Sequence, residues 1–293
     1  MMFSYVKAQL RDYYTESEIK SLYFLIMESV CRLDTQSVLL GKDAQIFPEE
    51  KLIIERIIED LKKYRPVQYI LGETEFYGLK FKVNGQVLIP RPETEELVER
   101  ILNDFTVCRS PFTVLDIGTG SGCIAVALAK FLPGAEVYAS DISEKALEVA
   151  RANALNNQTD VRFVRHDIFD GWPENLPEQL DVIVSNPPYV TPEEKKDMSK
   201  NVLDCEPHQA LFVPQEKPLL FYERIADLAQ VHLRANGRLY FETSAVYGKD
   251  TAEMLGSKGF GAVRLFRDIS GKERILVAGI EERHGEFFTF SKQ

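Results

Sequence analysis

The chain has 293 residues, 45% hydrophobic and 27% charged, an ordinary globular make-up that excludes disordered and fibrous folds. Thirty-five Lys and Arg against 45 Asp and Glu leave a net charge of −10. Such a protein is not expected to draw its affinity from neutralising a phosphate backbone, so direct nucleic-acid binding is disfavoured.

Four cysteines (Cys31, Cys108, Cys123, Cys205) form no CxxC pair, and four histidines (His166, His208, His232, His284) supply no ligand spacing. Neither a disulfide framework nor a metal site is expected, and reduced thiols point to the cytoplasm. The opening residues lack the basic and apolar regions of a signal peptide, and no stretch approaches 18 apolar residues, so no membrane association is expected.

Along the chain, Ile19, Leu22, Tyr23, Ile26, Met27 and Val30 form a helical stripe over 17–33. A second helix starts at Pro48-Glu49-Glu50 and carries Leu52, Ile53, Ile54, Ile57, Ile58 and Leu61. These apolar faces must cover each other, which predicts a small helical bundle over residues 1–72. Residues 73–90 then alternate in type around Gly78 and Asn84-Gly85 and read as a β-hairpin linker, with Asn84-Gly85 as the tight-turn signal. Pro92 and the acids Glu93, Glu95 and Glu96 start a further helix.

From Phe112 onward strand and helix signals alternate. Strands are expected at 113–117, 136–140, 161–165, 180–185, 238–243, 262–267 and 274–280, with helices at 123–131, 144–156, 219–233 and 250–257. This predicts an α/β domain over 91–293 with a doubly wound, mostly parallel seven-stranded sheet. The last two strands are separated by only a short loop and should pair antiparallel. The terminal segment 281–293 reads as a loosely held tail.

Between the first of these strands and its helix lies Gly118-Thr-Gly-Ser-Gly122, where glycine lets the backbone turn sharply and approach a ligand. Asp141 follows 23 residues after Gly118, at the end of the next strand, placed to accept ribose hydroxyls. The spacing is G-x-G-x-G rather than the dinucleotide G-x-G-x-x-G, because position 123 is Cys. It therefore suits S-adenosylmethionine, which has no pyrophosphate to cradle. Asp167 and Ile168 end the third strand and are candidates for the adenine amino group and ring.

Leu180-Asp-Val-Ile-Val-Ser-Asn-Pro-Pro-Tyr189 decides the chemistry. A buried strand delivers Asn186, Pro187, Pro188 and Tyr189 to the carboxyl edge of the sheet, and two prolines hold that loop in one shape. A planar NH2 group has a delocalised lone pair and is a poor nucleophile. Asn186 Oδ1 and the Pro187 carbonyl can each accept one of its N–H bonds, with Tyr189 packed flat on it. Positioning of this sort, plus stabilisation of charge growing on nitrogen, lowers the barrier to methyl transfer.

These residues resemble the peptide chain release factor glutamine methyltransferases. The likeness rests on Pro66-Val-Gln-Tyr-Ile-Leu-Gly72, Phe76-Tyr-Gly-Leu-Lys-Phe81, Val87-Leu-Ile-Pro-Arg-Pro-Glu-Thr-Glu-Glu-Leu97, the glycine loop, Ser185-Asn-Pro-Pro-Tyr-Val190, Glu206-Pro-His-Gln-Ala-Leu211 and Asp268-Ile-Ser-Gly-Lys-Glu-Arg274. Asn-Pro-Pro-Tyr is shared with nucleic-acid amino-methyltransferases, so an adenine or guanine methyltransferase of RNA or DNA is the alternative. The Ile-Pro-Arg-Pro-Glu-Thr-Glu run and the helical N-terminal region favour the protein substrate. The resemblance implies a class I methyltransferase fold and methylation of the glutamine amide in the Gly-Gly-Gln motif of class I release factors. It also implies cofactor contacts from Gly118, Thr119, Gly120, Ser121, Gly122, Asp141, Ile168 and Asn186, a grip on the glutamine by Asn186, Pro187, Pro188 and Tyr189, and an N-terminal bundle that helps hold the release factor. Two departures stand out: Glu242-Thr243-Ser244 replaces the family's Glu-Ile-Gly, and Ile168 stands where some relatives carry an aromatic. Arg91 and Glu93 are read either as closing over the cofactor or as a solvated pair. Trp172 is expected to pack a loop.

Overall fold

The computed structural model describes residues 2–105, 111–198 and 200–280. The expected tail at 281–293 and Cys108 lie outside the described residues.

The chain opens with helices α1 (Met2–Leu10), α2 (Glu16–Cys31), α3 (Thr35–Leu39), α4 (Pro48–Leu61) and α5 (Val67–Leu71). Thr15 and Glu18 cap α2 reciprocally, and Pro48 supplies the ready-made φ that starts α4. The stripes meet as expected: Ile19, Tyr23, Ile26 and Met27 bury against Ile54, Ile57, Ile58 and Leu61. Helix α1 adds Val6 and Leu10 to this core, and its nine residues carry too short an apolar pattern to be picked out by periodicity.

Next comes a hairpin of β1 (Glu73–Phe76) and β2 (Leu79–Lys82), which turns at Tyr77-Gly78. The Asn84-Gly85 turn exists, with Asn84 Oδ1 accepting from the Gln86 backbone at 2.9 Å. It lies beyond the ladder, in an irregular stretch that leads to the next helix, because both Tyr77 and Gly78 adopt positive φ and close the hairpin first.

The second half contains α6 (Pro92–Phe105), β3 (Phe112–Ile117), α7 (Cys123–Phe131), β4 (Ala135–Asp141), α8 (Glu144–Asn156), β5 (Val161–Arg165) and β6 (Leu180–Ser185). It continues with α9 (Lys200–Cys205), α10 (Leu220–His232), β7 (Leu233–Glu242), α11 (Gly248–Ser257), β8 (Gly261–Arg267) and β9 (Glu273–Gly279). The seven-stranded sheet has the order β5-β4-β3-β6-β7-β9-β8, parallel except for β9. Alternate residues of each strand face opposite layers. Val114, Val182 and Tyr240 pack under α6 and α7, whereas Leu115, Ile183 and Phe241 pack under α10. Strand β7 begins five residues earlier than its apolar pattern suggests. It runs straight out of α10 and bulges between Leu233 and Arg238, with Asn236 at φ 67°.

One buried side chain ties the hairpin to the sheet. Asn153 of α8 accepts from the Lys82 backbone (2.7 Å) and donates to the carbonyls of Lys82 (3.0 Å) and Ser121 (2.9 Å). Asn153→Ala leaves three backbone groups without their partner. It is expected to cost about 3 kcal/mol and to lower the melting temperature by several degrees in a thermal scan.

Candidate active site

In the sheet order, β3 has β4 on one side and β6 on the other, so chain direction across the sheet reverses at β3 and opens a crevice at its carboxyl end. The register places the candidate residues there. Ile117 of β3 pairs with Ser140 of β4 and with Ser185 of β6, Asp141 pairs with Arg165 of β5, and Ser185 pairs with Phe241 of β7. Ser185 Oγ locks this alignment by donating to the Ile117 carbonyl at 2.7 Å. Gly118, Asp141, His166, Asn186 and Glu242 therefore stand side by side at five neighbouring strand ends.

A cleft of about 380 Å³ lies over these ends. Gly118, Gly120, Asp141, Asp167, Ile168, Asn186, Pro187 and Pro188 line it, as do Gln86, Val87 and Leu88 of the linker and Pro207, Gln209 and Ala210 of the segment after α9. Phe169 and Phe221 also line it, with ring centroids 5.7 Å apart. They bring aromatic surface to the wall beside Ile168, and no pattern in the sequence announces them.

The glycine loop takes φ of 72° at Gly118, 54° at Gly120 and 81° at Gly122. At Gly122 a Cβ would come within 3.0 Å of Ala150 Cβ, so both the backbone conformation and the packing of α7 on α8 demand glycine. Thr119 and Ser121 are buried inside the loop rather than on the cleft wall. Thr119 Oγ1 donates to Asp116 (2.6 Å), and the Ser121 carbonyl accepts from Asn153.

Asp141 is held from two sides. Its Oδ2 accepts from the Gly120 backbone and its Oδ1 from Ser143, both at 2.9 Å. Burial pushes its carboxyl above the usual range, opposed by those two N–H donors. Asp167 is half-buried and caps its own turn by accepting from Phe169 N at 2.9 Å.

Beneath the loop sits Asp116, which sequence reasoning passed over. It is fully buried, accepts from Thr119 Oγ1 and the Ala125 backbone, and leaves Oδ1 without a partner. Burial raises its pKa from 3.8 to about 7. The folded state thus binds a proton that the unfolded chain releases near pH 4, and stability falls as pH rises from about 4 to about 7. Asp116→Asn, which cannot ionise, is expected to lose less melting temperature than the parent between pH 5 and pH 8. Parallel thermal scans of the two proteins check this.

The Asn186-Pro-Pro-Tyr189 loop is braced from below. Asn186 Nδ2 donates to Thr94 Oγ1 (3.3 Å), and Thr94 Oγ1 donates to Glu242 Oε2 (2.6 Å). The Tyr189 hydroxyl donates to Glu242 Oε1 at 3.4 Å. Tyr189 is partly buried against the core under α10 and, unlike its three predecessors, does not line the cleft. Burial raises both the Glu242 carboxyl and the Tyr189 hydroxyl; Thr94 and Arg274 oppose the rise at Glu242. The unusual Ser244 donates to Glu194 Oε1 (3.2 Å), whose other oxygen accepts from Thr191. The departure at 243–244 is therefore linked to the stretch just beyond Val190.

Arg91 does not lie with Glu93 in a solvated pair. It bridges to the buried Glu206 and so ties the residue before α6 to the segment that carries Pro207, Gln209 and Ala210 over the cleft. Trp172 packs a loop as expected, stacked on His232 with centroids 3.7 Å apart. Among the described residues no group of His, Cys, Asp and Glu is arranged to hold a metal ion, and no helix is long and apolar enough to cross a membrane.

Residues 2–72 match the PrmC N-terminal domain family and residues 94–211 the Methyltransferase small domain family. Among solved structures, a methyltransferase from Pyrococcus furiosus superposes with a TM-score of 0.53 at 19% identity, covering 80% of this chain and all of that one. The human methyltransferase 10 domain containing protein gives a TM-score of 0.50 at 17% identity, over 70% and 90% of the two chains. At such identities these likenesses show the methyltransferase fold alone. In sequence, the chain is 46% identical over 269 residues to the release factor glutamine methyltransferase of Flavobacterium psychrophilum, covering 91% of this chain and 94% of the relative. It is 47% identical over 277 residues to that of Bacteroides thetaiotaomicron, covering 94% and 98%. The chain belongs to the release factor glutamine methyltransferase family.

Proposed function

We propose that this enzyme transfers a methyl group from S-adenosylmethionine to the side-chain amide nitrogen of the glutamine in the Gly-Gly-Gln motif of class I release factors, in the cytoplasm. The observation that carries this reading is the register of β3 against β6, which sets the glycine loop and Asn186 on adjacent strand ends around one cleft.

The residues fit the cofactor. Gly118 and Gly120 leave the cleft floor free of Cβ atoms, Asp141 offers carboxylate oxygens for ribose hydroxyls, and Asp167 stands near Ile168, Phe169 and Phe221 for an adenine. The volume of about 380 Å³ lies in the range of small-molecule sites. Bound there, the cofactor supplies an electrophilic methyl carbon on a sulfonium.

The chain's own part is to make a sluggish amide reactive. Asn186 Oδ1 and the Pro187 carbonyl accept the two N–H bonds of the glutamine and aim its nitrogen into the cleft. Both acceptors strengthen as positive charge grows on that nitrogen, and so favour the transition state over the ground state. After transfer the N–H is acidic and its proton passes to water, so no base is needed beforehand. The two prolines keep the acceptors from rotating away. The loop's exit is anchored by Val190 N–H donating to the Leu211 carbonyl and Val213 N–H donating to the Val190 carbonyl, both at 2.9 Å.

The N-terminal bundle and the linker are proposed to grip the release factor. Residues 73–293 hold 25 basic and 34 acidic side chains, a balance that disfavours RNA or DNA as substrate. Incubation of the enzyme with methyl-labelled cofactor and, separately, a class I release factor, RNA and duplex DNA tests the assignment. Label is expected on the release factor and lost when its motif glutamine is replaced; label on nucleic acid alone overturns the reading.

A further inference from the structure

The brace under the methyl-transfer loop has a direction. Both oxygens of Glu242 act as acceptors: Oε1 takes the Tyr189 hydroxyl, and Oε2 takes the single proton of Thr94 Oγ1 at 2.6 Å, with Arg274 and these two donors favouring the ionised carboxylate against its burial. Toward Asn186, 3.3 Å away, the same oxygen can then only accept. The Asn186 amide must turn its NH2 edge to Thr94 and its carbonyl edge the opposite way. A flipped amide would set two acceptors against each other at Thr94 and leave a buried lone pair unpaired. Thr94 itself is 3% exposed and Glu242 2%, so water does not compete for either hydroxyl bond.

We infer that Thr94, polarised by Glu242, is a positioning residue that holds the Asn186 carbonyl oxygen toward the cleft in the orientation that accepts the substrate N–H. This rests on the methyl-transfer reading of the same site and adds to it the group that selects the amide orientation. Glu242 also takes the Tyr189 hydroxyl through its second oxygen, so one buried carboxylate orients both ends of the Asn-Pro-Pro-Tyr loop. Thr94 reaches this place because it lies in the first turn of α6, whose buried face (Thr94, Leu97, Val98, Ile101) packs on the sheet.

The test uses the full chain, methyl-labelled cofactor and a class I release factor. Thr94→Val keeps the shape and removes the hydroxyl; kcat is expected to fall by about 10- to 100-fold, because the amide is no longer held in one orientation. The dissociation constant for S-adenosylmethionine, measured by calorimetry, is expected to stay within about twofold, and Thr94→Ser to restore kcat to within a few-fold of the parent. An unchanged kcat in Thr94→Val overturns the inference. So does a loss of cofactor affinity as large as the loss of kcat, or a failure of serine to rescue. If the valine variant does not fold, Thr94→Ala is measured against the same outcomes. A parent enzyme that labels the release factor beside an unaffected variant sinks the brace alone; a parent that never labels it sinks the function and the brace together.

Discussion

In an Asn186→Ala variant, methyl transfer to a release factor is expected to drop by about 100- to 1000-fold, the loss typical of removing one preorganised polar contact to a developing charge. Cofactor affinity is expected to hold within about threefold, roughly 0.7 kcal/mol, because Gly118, Gly120, Asp141 and Ile168 lie on other strand ends and keep their places. The split follows from the register. Asn186 leaves β6, whereas the glycine loop leaves β3 and is secured by its own bonds from Gly118 and Thr119 to the Ser140 carbonyl, at 2.8 and 3.0 Å. Single-turnover rates with calorimetry on the same preparation read both quantities. A rate near that of the parent would remove the amide clamp from the mechanism.

Asp141→Ala is expected to act the other way, through binding. On the proposed ribose contact, at least one charge-assisted hydrogen bond to the carboxylate is lost, about 1.5–3 kcal/mol, or roughly 10- to 150-fold in the dissociation constant. The loop also loses its tether, since Asp141 Oδ2 holds Gly120 N and Oδ1 holds Ser143 N. Asp141→Asn, with one acceptor left, is expected to fall between the two. At saturating cofactor the alanine variant should recover much of its rate, because nothing at Asn186 has changed. Titration calorimetry that returns the parent's constant for the alanine variant would contradict the ribose assignment.

Much of the fold was readable along the chain. The strands at 161–165 and 180–185 and the helices at 123–131 and 144–156 have the expected bounds; three of them carry a clear boundary signal, with Gly122 before α7, Ser143 capping α8 and Asn-Pro-Pro after β6. The hairpin turn was harder to place. Tyr77 takes a positive φ of 49°, a conformation that local chemistry assigns to Asn84-Gly85 rather than to an aromatic residue. Nor could the crossing from β5 to β6 be inferred. It has no α-helix, yet it moves the chain from the edge of the sheet to the far side of β3.

The residue types of the proposed site follow from the sequence for the same local reason. Glycines at 118, 120 and 122, an acid at 141 and an asparagine fixed by two prolines are each demanded by what one short loop must do. The parts played by Phe221, Gln86, Thr94, Glu242 and Asn153 were not legible, since each acts on a partner distant in sequence: 92 residues separate Thr94 from Asn186, and 148 separate it from Glu242. The sequence by itself determined the reaction type, because period and turn chemistry are properties of neighbouring residues. Only the tertiary structure decided which way the Asn186 amide faces, because hydrogen-bond direction depends on donors and acceptors that meet when β3, β6, β7 and α6 pack together.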